Sequence, residues 1–233
     1  MRKILITGAN RGIGLELTRQ FLAHGDFVIA TCRQPVKAAE LHILAETFAD
    51  QLMIQQLDVT NDDSVAVAKT AVSHKIKSLD IIINNAGILY GDETFTNFDP
   101  KKMQHTFDVN VVGTMRVVTQ FIELLRLGNS AKIINISSQL GSLIENERDT
   151  GHYSYNSSKA ALNMVTRKLV YDTKEDNITV ISMHPGWVQT DMGGASATLQ
   201  TPESAQGIMD VMSRLTLADS GKFYVYSGEE HPW

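Results

Sequence analysis

A chain of 233 residues, 43% hydrophobic and 20% charged, is long enough for one α/β domain with a sizeable core and has an ordinary globular balance. Its net charge of −5, with no basic block or stripe, argues against nucleic acid as a partner. Cys32 is the only cysteine, which excludes an internal disulfide, and no segment has the length of a membrane span or an export signal, so a cytoplasmic protein is expected.

The first apolar run, KILIT (3–7), leads directly into TGANRGIG and a helical pattern over 12–24 that stops at His24 and Gly25. Gly8, Gly12 and Gly14 sit where glycines permit positive φ and let a backbone approach closely. A helix that starts there offers free N–H groups and the positive end of its dipole to a pyrophosphate, though a tight strand–helix turn without a ligand would use glycines too. The second run, FVIAT (27–31), is followed by Cys32 and Arg33, with a helix expected over 36–49. A nucleotide site that prefers NAD usually carries an acid there to bond the ribose hydroxyl. Without one, Arg33, together with Arg11 from the glycine turn, suits a 2′-phosphate.

LMIQQL (52–57) ends at Asp58, which could accept from an adenine amino group or serve as a plain loop or capping residue. TNDDS (60–64) then supplies a cap and early acids for a helix over 62–75. LDIIIN (79–84) closes on NNAG, which by itself reads as a strand-end turn, and a long helix is expected over 100–127. KIINIS (132–137) precedes a helix over 152–174 in which Tyr155 and Lys159, four apart, share one face, while Tyr153 points elsewhere. ITVISM (178–183) breaks at Pro185 and Gly186, and GGASATLQ (193–200) has the composition of a mobile lid or of a plain loop. His184 suits packing or capping, since it has no partners at metal-ligand spacing. A helix over 202–214 and a last strand, KFYVY (222–226), complete the pattern.

The first six runs are nearly continuous in apolar character, as parallel strands buried on both faces are, and they alternate with helices. The fold class this predicts is α/β, a doubly wound parallel sheet of about seven strands with helices on both faces, spanning 1–233 as a single domain.

TGANRGIG, LDVT, NNAG, DVNVVG, NISS, YNSSK and HPGWVQTDM occur in the order and spacing of the short-chain dehydrogenase/reductases, which this chain resembles along essentially its whole length. HPGWVQTDMGG and SGEEHPW are similar to the C-factor-like and sniffer-type carbonyl reductase branch of that family. The resemblance implies an extended Rossmann fold, an NADP(H) or NAD(H) cofactor, and catalytic positions at Asn110, Ser138, Tyr155 and Lys159. Among Ser137, Ser138 and Ser142, the second of the SS pair matches the family's serine. Cofactor contacts are implied at Gly8, Asn10, Arg11, Gly12, Ile13, Gly14, Arg33, Asp58, Val59, Asn85, Ala86, Gly87, Tyr155, Lys159, Pro185, Gly186, Val188 and Thr190.

In that chemistry a nearby cation and a positive nicotinamide would lower the Tyr155 pKa, letting the phenol exchange a proton with a carbonyl or alcohol oxygen. Ser138 would add a second donor, Asn110 would hold a water that relays protons to Lys159, and Lys159 would bond the cofactor ribose. The stretch from Ser138 to Tyr155 is longer than is common in the family, with the extra residues in LIENERDTG. The resulting expectation is an NADPH-dependent carbonyl reductase with a small carbonyl or alcohol substrate and no metal. The alternative is a nucleotide-binding sensor or C-factor-like signalling protein on the same fold. The apolar residues Ala160, Ala161, Leu162, Met164, Val165, Leu169, Val170 and Tyr171 surround most of their helix, which predicts a homodimer or homotetramer built on it.

Overall fold

The apolar runs become the strands of one parallel sheet in a computed structural model that describes residues 1–144 and 150–233. The strands are β1 (Lys3–Thr7), β2 (Phe27–Cys32), β3 (Leu52–Gln56), β4 (Ile81–Asn84), β5 (Lys132–Ile136), β6 (Thr179–His184) and β7 (Phe223–Val225). They lie in the order β3-β2-β1-β4-β5-β6-β7, each pair parallel. The helices are α1 (Gly12–Ala23), α2 (Ala39–Thr47), α3 (Asp62–Lys75), α4 (Pro100–Phe107), α5 (Gly113–Arg126), α6 (Tyr153–Asp172) and α7 (Thr201–Arg214).

Each central strand divides its residues between two cores, because side chains alternate across the pleat. Ile4, Ile6, Ile81, Ile83 and Ile134 pack with Leu17, Phe21, Leu41 and Ile208 from α1, α2 and α7. Leu5, Ile29, Ile82, Ile133 and Val180 pack on the other face with Val65, Val117, Phe121 and Leu169 from α3, α5 and α6. Burial on both faces is why the strands read as unbroken apolar runs. The chain reverses direction across the sheet between β1 and β4, and the crevice at the carboxyl ends of those neighbours is where such sheets bind ligands.

Two helices expected as single pieces are broken. The 36–49 pattern becomes a 3₁₀ turn at Pro35–Lys37 followed by α2, because Ala38 leaves helical geometry (φ −90°, ψ 65°) to bury its methyl group in the core. The 100–127 pattern divides into α4 and α5 around a π-helical turn, Asp108–Val112. Gly113 there lies so close to strand-end residue Val59 that a β-carbon would sit 2.8 Å from that side chain. Helix α3 has the bounds the sequence predicts, with the Asn61 side chain capping the Ser64 N–H and Asp62 and Asp63 in its first turn.

Candidate active site

The glycine turn forms the floor of the crevice. Gly8 and Gly12 have positive φ (65° and 54°), and a β-carbon on Gly14 would lie 2.4 Å from the Gly8 carbonyl. Only glycines allow this tight passage from β1 into α1. Asn10 and Ile13 are partly buried between these glycines, and no acidic residue stands in the first turn of α1 to neutralise its free N–H groups. The turn therefore fits a pyrophosphate. Asn85, at the end of β4, donates its amide to the carbonyls of Thr7 (2.9 Å) and Gly8 (3.1 Å), and Thr7 Oγ1 accepts from Asn85 N and Ala86 N. The two strand ends flanking the crevice are thus tied together. A β-carbon at Gly87 would press on Asn110 Oδ1 (3.3 Å) and touch Lys159 Nζ (3.6 Å), so the chain passes close beside both side chains.

Toward the outer strands, Asp58 accepts from the Thr60 N–H (2.9 Å) and hydroxyl (2.7 Å) through Oδ1, and Val59 is buried beneath it. Cys32 is buried at the end of β2, and Arg33 follows it, exposed and without an ion pair among the described residues. The Arg11 guanidinium pairs with Asp191 at 2.8 Å, in the loop after β6. Both partners are largely exposed, so this surface pair contributes only about 0–1 kcal/mol and yields readily to a stronger anion.

Asn110 occupies the π turn rather than a regular helix. Its Oδ1 accepts from Ile88 N (2.8 Å), and its Nδ2 donates to Ile88 O (3.0 Å) and Ser158 Oγ (2.9 Å). Both amide hydrogens are committed within the protein. Through these bonds the side chain fixes the exit of β4 against α6. A π turn at a functional position is a recurrent feature, because it aims one side chain out of helical register.

The structure brings Ser138, Tyr155 and Lys159 together. Ser138 and Tyr155 are both buried, with the serine hydroxyl acting on the phenol to lower its pKa, and Lys159 Nζ lies 5.5 Å from the Tyr155 ring centroid and donates to Ile136 O at 2.7 Å. The neighbouring candidates are engaged elsewhere: Ser137 donates to Asn163 Oδ1 (2.7 Å) and Ser142 to the Trp233 carbonyl (3.2 Å). Burial reverses the expected direction of the tyrosine shift. It pushes the Tyr155 phenol up to about 12 against the opposing Ser138 hydrogen bond, and pushes the Lys159 ammonium down to about 8. Both charged forms lose hydration in this interior, and that loss outweighs the proximity read from their spacing.

The opposite wall follows β6. Pro185 O accepts from Ser204 Oγ (2.6 Å), which ties it to α7, and Gly186 turns the chain at φ 86°. Val188 bridges to Leu199, and Thr190 places its methyl group against Gly12. The 193–200 segment is anchored rather than free: Gln189 N donates to Leu199 O (2.8 Å), Leu199 N to Trp187 O (3.1 Å), and the Trp187 indole to Gly193 O (2.9 Å). His184 is buried beside His231, and burial first, then that neighbour, lowers it to about 4, so it stays neutral. Among the described residues no group of three ligand side chains could hold a metal. Residues 145–149 of LIENERDTG lie outside the described residues.

Comparison with known proteins agrees with this geometry. The short chain dehydrogenase family model matches residues 2–200. The NADPH-bound carbonyl reductase from chicken fatty liver is 36% identical and superposes with a TM-score of 0.94, over 100% of this chain and 99% of that one. The carbonyl reductase Sniffer of D. melanogaster is 34% identical with the same TM-score, each chain covered in full. The C-signal protein of Myxococcus xanthus is 40% identical over 66% of this chain and 93% of its own length.

Proposed function

The chain belongs to the short-chain dehydrogenase family and is an oxidoreductase of that family, and from that premise we propose that it uses NADP(H) to reduce a carbonyl compound to an alcohol, with Tyr155 delivering the proton. The observation that carries this reading is the buried Tyr155 phenol with buried Ser138 acting on it and the Lys159 ammonium 5.5 Å from its ring centroid, one helical turn away. The glycine turn, Asp58, Val59 and the NNAG strand end would hold the nucleotide, and Pro185, Gly186, Val188 and Thr190 would flank its nicotinamide end. When bound, the nicotinamide supplies the hydride, which no side chain can do.

Burial raises the Tyr155 pKa to about 12, so the phenol is protonated at neutral pH and able to serve as the proton donor. Ser138 and Tyr155 both donate toward the substrate oxygen, where negative charge builds up. Once Tyr155 gives up its proton, Lys159 is still mostly an ammonium at neutral pH and stabilises the phenolate left behind. A lysine that titrates near 8 also passes protons on more readily than one at its ordinary value. NADP(H) is preferred over NAD(H) because Cys32 occupies the place of the usual acid, leaving Arg33 to face a 2′-phosphate. The NADPH in the chicken liver relative agrees with that choice.

The protein would act in the cytoplasm as a homo-oligomer joined through α6, where Met164 and Tyr171 are 59% and 70% exposed beside the half-buried Ala161 and Val165. Sedimentation showing only a monomer of about 26 kDa at micromolar protein would remove the oligomer. The likeness to C-signal supports a second reading, a nucleotide-binding signalling protein with little turnover. NADPH oxidation measured across aldehydes, ketones, quinones and keto esters separates the two. Oxidation with at least one class is expected, whereas NADPH binding without oxidation of any would favour signalling.

A further inference from the structure

Helix α6 begins without a cap of its own. Its N-cap residue, His152, is in the left-handed region (φ 50°, ψ 30°) and makes no side-chain hydrogen bond to the first turn. The first N–H groups of a helix need a partner when they are buried. Here the partner comes from a distant loop. Glu93, only 4% exposed, accepts from Ser154 N at 2.7 Å through Oε2 and from the Ser154 hydroxyl through Oε1.

The same loop holds the helix start at further points. Glu93 O accepts from His152 N (3.2 Å), and a β-carbon on Gly151 would lie 2.6 Å from that carbonyl. The Phe98 ring meets Tyr153 edge-on, 6.4 Å between centroids. The loop is itself braced: Asn97 accepts from Thr94 N (2.6 Å) and donates to Asp92 O (2.7 Å). One residue further along α6, the Tyr155 carbonyl accepts from Ser158 Oγ (2.7 Å), which Asn110 in turn fixes. The backbone of Tyr155 is therefore gripped from both sides, by Glu93 through Ser154 and by the π turn through Ser158.

We propose that Glu93 is a positioning residue for the reaction: its buried carboxylate caps the start of α6 from the loop at 91–99 and thereby sets where the Tyr155 hydroxyl stands. A carboxylate suits the task, because its charge complements the helix dipole and it accepts two hydrogen bonds at once. Loss of the cap lets the first turn fray, and displacement of a catalytic group by about 1 Å can cost on the order of a hundredfold in rate. The proposal rests on Tyr155 acting as the acid.

The test compares the wild type with Glu93→Ala, Glu93→Gln and Ser154→Ala. It measures kcat for carbonyl reduction, NADPH affinity by fluorescence titration, and amide exchange at 153–157. Glu93→Ala is expected to lower kcat by about tenfold or more while NADPH affinity stays within about twofold, and to speed exchange at 153–157 but not in the glycine turn. Glu93→Gln, which keeps an acceptor for Ser154 N, should recover most of the rate. If Glu93→Ala fails to fold, Ser154→Ala removes only the hydroxyl bond and should still speed exchange and cost a few-fold in kcat. Unchanged exchange and kcat within about twofold in the folded variants would overturn the role of Glu93 while leaving the reductase reading intact. A wild type that binds NADPH and reduces nothing would overturn the reductase reading instead, and exchange would then decide the clamp alone.

Discussion

On the β1–β3 side of the crevice the proposed site consists of backbone N–H groups and two exposed arginines, whereas on the β4–β6 side it consists of side chains that water hardly reaches. Gly8, Gly12 and Gly14 shape the first half by what they lack, and Arg11 and Arg33 stand in solvent at its edge. Ser138, Tyr155, Lys159 and Asn110 make the second half, and all four are buried. The first half can bind an anion with little change in its own energy. The second half carries ionisable groups at a desolvation cost visible in the opposed shifts of Tyr155 and Lys159. Changes in the exposed half should therefore appear in cofactor affinity, and changes in the buried half in the rate of turnover.

Apart from loss of the Tyr155 hydroxyl itself, the largest effect that would break this division is expected at Ser138. Ser138→Ala removes a donor aimed at the developing charge and should lower kcat by about 10²–10³-fold with NADPH affinity nearly unchanged. A loss confined to cofactor KM would assign Ser138 to binding instead. Next comes Arg33→Ala, which should raise KM for NADPH by roughly ten- to a hundredfold and leave that for NADH nearly alone. Equal effects on both cofactors would mean that Arg33 does not meet a 2′-phosphate.

A pH profile sharpens the contrast further. Burial lowers the Lys159 pKa from 10.5 to about 8, so its ammonium is present below that pH and lost above it. The phenolate formed when Tyr155 gives up its proton needs that charge, so kcat for reduction should be flat below about 8 and fall about tenfold per pH unit above it. A rate level to pH 10 would show that Lys159 is not the titrating group. Asp191→Asn should give the smallest change, because it only frees Arg11 from an exposed pair. NADPH KM should drop by less than about fivefold, and a rise would show that Asp191 holds the wall of the crevice in place.

The two halves were also unequally legible in the sequence. The strands and the glycine turn follow from local patterns, namely unbroken apolar runs and glycines at a strand–helix junction, and these survive folding unchanged. The break of 100–127 at the π turn was hidden, because DVNVVG keeps a helix-compatible pattern and only contact with Val59 and Ile88 shows its use. The effect of burial on Tyr155 is hidden for a related reason. Spacing reveals that Lys159 is near, but burial, which decides the sign, belongs to the packed interior. The ion pair of Arg11 is hidden as well, since its partner Asp191 lies 180 residues away. Glu93 could not have been found at all, since it stands in the aperiodic GDETFTNFD and gains its role only when that loop meets the start of α6.

The measurement that reaches the central claim most directly is Tyr155→Phe, which deletes one hydroxyl and leaves Lys159 and the glycine turn in place. NADPH titration and NADPH-dependent carbonyl reduction should be followed on the same preparation. The account expects cofactor affinity within about threefold of wild type and turnover lowered by about 10²–10⁴-fold. Retention of more than about a tenth of wild-type turnover, with the cofactor still bound, would contradict it.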